Sequence, residues 1–140
     1  MKSRYLIPSV LVALCLLPSA AFAPLALAAA PNSSPVRIIS YGVLNEQGHT
    51  SKTLHNGQGY FPFFVLRNRS NNSLGFNAEM ALDGQLRWGW GGGILGQDAS
   101  LLSPDVQTAA TGTHTVTIYL CSDSSCTSFI QTITFQFTVT

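Results

Sequence analysis

The chain has 140 residues, with seven Lys or Arg against six Asp or Glu, a formal net charge of +1 and 46% hydrophobic residues. So few charges, with no basic stripe to neutralise phosphates, exclude an ordinary electrostatic nucleic-acid binder. The length fits one domain behind a short leader and suffices for one hydrophobic core.

Lys2 and Arg4 form a basic start, Tyr5 to Leu17 is apolar, and an alanine-rich run ends in "PLALAAAP". This is the pattern of a bacterial secretory signal peptide, with small residues at the cleavage positions. Cutting after Ala21-Phe22-Ala23 would leave Pro24 directly behind the bond, so Ala26-Leu27-Ala28 is the better site. The expected organisation is a signal peptide over residues 1–28, a linker over 29–35 and one domain over 36–140. Prolines interrupt the apolar stretch, which falls short of the ~20 residues of a membrane span. Lipidation at Cys15 is disfavoured by the bulky Leu14 before it. The expected location is secreted or periplasmic. Without Lys2 and Arg4, five basic residues face six acidic ones, and abundant Ser, Thr, Asn and Gln suit an extracellular β-protein.

Beyond the leader the pattern has period two, punctuated by Gly, Asn, Asp and Pro, and nothing sustained recurs at helical spacing. Val36 to Leu44 reads as a first strand and Thr50 to Leu54 as a weak one. Tyr60 to Arg67, "YFPFFVLR", is strongly apolar, and its Pro62 implies an edge strand or a bulge. In the next strand Leu74, Phe76, Ala78, Met80 and Leu82 alternate with smaller or polar residues.

"LDGQLRWGWGGG" then turns through Asp83-Gly84 into a strand carrying Trp88 and Trp90. A two-residue turn pairs Glu79 with Trp88 and Asn77 with Trp90, a polar-faced aromatic platform suited to stacking on sugars. A three-residue turn pairs Ala78 with Trp88 and Phe76 with Trp90 and sends the indoles, with Leu86, into the core. Asp-Gly serves both turns. Burial of several hundred Å² at roughly 25 cal/mol per Å² favours the core. The segment from Gly91 to Thr111 is long for a loop, which points to function. Ser103-Pro104-Asp105 is a candidate helical turn inside it. A ligand is most expected where this segment meets Trp90.

Two cysteines remain in the exported part, Cys121 and Cys126 in "CSDSSC", and an oxidising compartment makes their disulfide the expectation. Closing so short a loop contributes about 2 kcal/mol. If the two cysteines face each other, Ile118 lies opposite Phe129, Leu120 opposite Thr127 and His114 opposite Ile133. Val116, Ile118, Leu120, Phe129, Ile133, Phe135, Phe137 and Val139 then share a buried face, with a threonine-rich face and the disulfide outside. About seven short strands in this length indicate an all-β, antiparallel β-sandwich.

"GTHTVTIYLCSDSSC" resembles the penultimate strand and cysteine-capped hairpin of bacterial secreted immunoglobulin-like or fibronectin type III-like modules. The resemblance is confined mainly to residues 112–140; His114 replaces their usual tyrosine, and their Gly-Ser-Pro run is missing. It implies an immunoglobulin-like fold serving adhesion, spacing or binding, without a shared active site.

Other signals are weak. "GGGILG" matches a dinucleotide fingerprint in letters, but no amphipathic helix follows to aim at a pyrophosphate. The imidazoles are His49, His55 and His114; His49 and His55, six apart, could pair on a metal only with a third ligand from elsewhere, and no G-x-S-x-G elbow supports a hydrolase. The expected function is therefore a non-catalytic structural, adhesive or protein-binding module at the bacterial surface, with no cofactor and no metal. The alternatives are a carbohydrate-binding module using Trp88, Trp90, Asn77 and Glu79, and a fibre subunit donating "SSPVRIISYGVL" to a neighbour. Partners in these readings are another protein or a surface polysaccharide.

Overall fold

The computed structural model describes residues 34–140; the leader and its cleavage positions, with residues 29–33 of the linker, lie outside the described residues. Eight strands follow one another: β1 (Val36–Asn45), β2 (Thr53–Leu54), β3 (Tyr60–Asn68), β4 (Leu74–Leu82), β5 (Gln85–Ile94), β6 (Ala99–Leu102), β7 (Gly112–Cys121) and β8 (Phe129–Val139). They form two sheets, β1-β3-β6 and β2-β8-β7-β4-β5. No helix occurs among the described residues. The protein is a two-sheet β-sandwich closed by one disulfide between Cys121 and Cys126.

Several details depart from expectation. The pairing is not wholly antiparallel, because Thr53 and Leu54 run parallel to Thr138 and Val139. The stretch 91–111 is not one loop: β5 continues to Ile94, β6 follows, and no helical turn forms at Ser103-Pro104-Asp105. β3 is a central strand despite Pro62, with β1 on one side and β6 on the other. Proline is tolerated because β6 reaches only as far as the Phe64–Leu102 pair. Between that pair and the Tyr60–Gln107 bridge no backbone partner faces Pro62 on the β6 side, and Ser103 Oγ donates to the Pro62 carbonyl at 3.0 Å.

The core lies between the sheets. Tyr60, Phe64 and Leu66 from β3 meet Met80, Val116, Ile118 and Leu120 from β4 and β7, all essentially inaccessible to solvent. Period-two alternation selects these residues, because a strand with one face on a core must be apolar at every second position.

The β7–β8 hairpin keeps the expected faces but not the expected register. Ile118 faces Ile133 rather than Phe129, and His114 faces Phe137 rather than Ile133, a slide of four residues. An even slide preserves the sides of a strand, so Val116, Ile118, Leu120, Phe137 and Val139 are buried as expected. The cause is the loop. Cys121 pairs with Phe129, not with Cys126, and Cys126 takes a left-handed φ of 53° within the turn. Asp123 organises that turn, accepting bonds from the backbone N–H groups of Ser125, Thr127 and Ser128 and from two hydroxyls. The Thr127 N–H is the chief cause that brings its carboxyl pKa down to about 2.

A bulge between Leu120 and Cys121 then reverses the side of Phe129. Phe129 stands outside, 54% exposed, stacked on Tyr119 at 5.0 Å. Just before the bulge the regular ladder sets Gln131 opposite Leu120, on the inner side. Its Oε1 accepts from the Ile38 N–H at 2.9 Å and its Nε2 donates to the Ile38 carbonyl at 3.3 Å. Gln131 thus takes the place of a neighbouring strand for β1, whose own bulge lies between Ile38 and Ser40.

β1 completes its own sheet, paired from Val36–Asn68 to Asn45–Tyr60. The strand proposed for donation to a fibre is therefore engaged inside its own fold. Replacing Gln131 by Leu keeps most of the volume but orphans both polar groups of Ile38. The expected loss is about 1–3 kcal/mol, read from denaturant midpoints, with faster hydrogen exchange at the Ile38 amide.

Candidate functional site

The β4–β5 hairpin determines where the tryptophans face. Asp83 (φ 52°) and Gly84 (φ 77°) are both left-handed, the signature of a two-residue type I′ turn. Leu82 accordingly pairs with Gln85 and Ala81 with Leu86. A one-residue bulge at Arg87 then shifts the register, so Met80 faces Trp88 and Ala78 faces Trp90. The turn is the one expected of an exposed platform, yet the faces are those of a core. Bulges permit this because one extra residue exchanges the two sides of the strand beyond it.

Trp88 and Trp90 are therefore half-buried and packed against the core. Trp90 meets Phe64 edge-on at 5.3 Å, joining the two sheets. Leu86, on the turn side of the bulge, stays outside and is 58% exposed. Asn77 and Glu79 pair with Gly91 and Gly89 on the outer face. The four residues expected to form one platform are thus divided between two sides of the sheet.

Each side has its own hollow. On the outer face, Asn77, Glu79 and Trp90, with Gly89 and Gly91 on either side of Trp90 and with Ala78, Ser124 and Cys126, line a shallow depression of about 250 Å³. It exists because glycine leaves the sheet bare, and Asn77 leans over Gly91 so closely that a Cβ there would lie 2.9 Å from its Oδ1. On the lateral side, a groove of about 440 Å³ runs between Trp88, Trp90 and Arg87 and the segment Ser103, Pro104, Asp105 and Gln107. This is where the 91–111 segment meets Trp90. Arg87, Asp105 and Gln107 carried no binding signal of their own in the sequence, since only the folded segment brings them beside the indoles.

The far end of that segment is fastened by His114. Its Nδ1 lies 2.8 Å from Asp83 Oδ2 and its Nε2 2.8 Å from the Ala110 carbonyl. A carbonyl and a carboxylate both accept, so the ring donates from both nitrogens and is best satisfied as imidazolium. The bond to Asp83, then that to Ala110, raises the His114 pKa against an opposing contribution from burial. For Asp83, partial burial is the largest single influence and acts upward. The bonds from His114 and the Thr115 N–H, with the charges of His114 and Arg87, outweigh it and set the carboxyl below its usual value. His114 also stacks on Phe137 at 5.3 Å. His49 and His55 stay exposed, and among the described residues no three His, Cys, Asp or Glu side chains converge as metal ligands.

No protein-family model and no curated protein matches the sequence. Solved structures do match in fold. The CARDB domain of a Pyrococcus furiosus protein, crystallised in complex with di-metal ions, gives a TM-score of 0.54 at 12% identity over 72% of this chain and 88% of that one. The C-terminal domain of wzt gives 0.53 at 10% identity, over 78% of this chain and 75% of that one. A GH2 β-galacturonidase from Eisenbergiella tayi, bound to glycerol, gives 0.53 at 9% identity over 76% of this chain and 18% of that one. These likenesses establish a shared β-sandwich architecture, which by itself assigns no activity.

The His114–Asp83 pair predicts a pH window. His114, with its pKa raised on folding, stabilises fully below its unfolded value of ~6.5 and loses that contribution as pH rises through the folded value. Asp83, with its pKa lowered, contributes above ~3.9 and loses it as pH falls through its folded value. The stability gap between the native protein and a His114→Gln variant is expected to peak between about pH 4 and 6.5 and to narrow on both sides. Urea midpoints from pH 3 to 9 measure it.

Proposed function

We propose that this chain is an exported, non-catalytic β-sandwich module that binds another protein at the bacterial surface or in the periplasm, by adding a strand of its partner to β5. The N-terminal leader pattern supports export. The observation that carries the binding reading is the state of the sheet edges.

An edge strand offers unpaired N–H and C=O groups, and proteins ordinarily shorten, bulge, charge or cover such edges. β2 has two residues and β6 four. β1 is bulged, and Gln131 caps Ile38. β5 has ten residues. Arg87 and its bulge guard only the end near the turn. From Trp88 to Gly93, among the described residues, no turn or loop backbone group and no side chain hydrogen-bonds to the free edge. Main-chain pairing supplies affinity in strand addition, and flanking pockets supply selectivity; the lateral groove beside Trp88 and Trp90 suits the second role.

A photo-crosslinking residue at Leu86, beside this edge, tests the reading against one at Phe129, equally exposed on the same sheet. In cells exporting the full chain, discrete protein adducts are expected from position 86 and not from 129. Equal adducts from both positions, or none from 86, would overturn it.

Carbohydrate binding is the second reading, favoured by the half-exposed indoles of the groove with Arg87, Asp105 and Gln107 alongside. Stacking on sugar C–H faces together with hydroxyl recognition needs that combination. Titration with a polysaccharide panel is expected to shift tryptophan emission, and a Trp90→Leu variant to respond less. Unaltered emission across the panel would remove it.

A further inference from the structure

We infer that the partner strand at β5 is β5 of a second copy of this chain, paired antiparallel about a two-fold axis through Gly89. The inference rests on the strand-addition reading and names its partner.

Antiparallel pairing brings residues of like side together, so an isologous pair of β5 strands must set inner residues against inner ones and outer against outer. Trp88 and Trp90 are inner, whereas Gly89 and Gly91 are outer. An axis lying between two residues mixes the sides and is excluded. An axis on Trp90 sets one indole against itself and leaves Trp88 opposite a glycine. The axis on Gly89 is the one that opposes each indole to the other indole of the second copy, in the aromatic cross-strand pairing that sheets favour.

The remainder of the strand is complementary in bulk. The one-to-one pairing stops at the bulge, beyond which the exposed Leu86 and Arg87 of one copy adjoin the glycine run Gly91–Gly93 of the other, which offers no side chains to oppose them. The outer face of the joint is bare at Gly89, where a Cβ would find nothing nearer than the Ala78 carbonyl at 4.0 Å. The result is two five-stranded sheets made continuous, with the mouths of both lateral grooves brought to the joint. A strip this narrow falls short of the roughly 800 Å² per partner of stable complexes, so the dimer is concentration-dependent.

Gly89 is the test position because a side chain there points into open space in the single copy. Sedimentation equilibrium of the native protein is expected to show a monomer–dimer equilibrium. Gly89→Lys, which opposes two ammonium groups at the axis, is expected to raise the dissociation constant more than about tenfold while far-UV circular dichroism and the melting temperature stay unchanged.

Gly89→Cys is expected to form a disulfide-linked dimer under mild oxidation. Cα atoms of opposed antiparallel residues lie about 4.5–5.5 Å apart, within disulfide reach. Peptide mapping should place the new bond between the two substituted positions, and Gly93→Cys, remote from the axis, should not link to itself. A native protein that stays monomeric to about 1 mM, or equal cross-linking at 89 and 93, overturns self-pairing. Adducts of a different protein at position 86 would in that case keep strand addition and change the partner; no adducts at all would remove both.

Discussion

The one-residue bulge at Arg87 is the constraint on which the β4–β5 flank of this sandwich depends. Two tight demands meet in the β4–β5 hairpin. Asp83-Gly84 forms a type I′ turn, whose twist suits the flanking strands, and two indoles must leave water. With an unbroken ladder the turn would fix the indoles on the outer face. The bulge satisfies both demands by exchanging sides after Leu86. Its consequences spread outward: Trp90 reaches Phe64 across the sheets, Gly89 and Gly91 fall on the outer face, and Leu86 is left exposed.

That exchange also explains why β5 can remain an open edge without costing the fold its core. Its two indoles are committed inward, and beyond the bulge its backbone is what it presents laterally. The opposite side of the molecule is treated differently. There β1 is bulged, and a glutamine from the facing sheet makes the two bonds that a neighbouring strand would otherwise make to Ile38. A buried amide used in this way is stable only when both its donor and its acceptor are matched, and Gln131 meets that condition. One flank is sealed by a side chain while the other is left with its ladder unfinished.

Much of the fold was legible in the sequence because alternation is a strong physical signal. The buried residues of β7 and β8, the strand at Tyr60–Asn68 and the disulfide all follow from period two, apolar content and two cysteines. Two of the departures come from single-residue irregularity. Neither bulge, at Arg87 or at Leu120–Cys121, has a composition of its own, and each reversed the side of every residue beyond it. Unbroken alternation puts Phe129 inside, and the Leu120–Cys121 bulge turns it out; the separate slide of four residues comes from the loop, which Asp123, with its several backbone bonds, holds longer than a facing cysteine pair would allow. β6 was missed because four residues leave too little alternation to read. For the candidate site, the meeting of the 91–111 segment with Trp90 was visible from length alone. The separation of Asn77 and Glu79 from the indoles was not, since it turns on the bulge.

The lateral groove is a built feature rather than a gap beneath a mobile flap. Its outer wall is the segment after β6, which is fastened at three separated points. Ser103 bonds the Pro62 carbonyl. Gln107 exchanges backbone bonds of 2.9 and 2.8 Å with Tyr60. Ala110 accepts from His114, itself held by the turn aspartate that starts β5. Ordering a wall of this length only on binding would cost freedom at every rotamer-rich residue. Here that cost is met on folding, so whatever enters beside Trp88 and Trp90 meets a shaped surface. The His114–Asp83 contact thereby couples two parts of the groove that are distant in sequence, because the residue that fixes the β5 turn also fixes the end of the opposite wall.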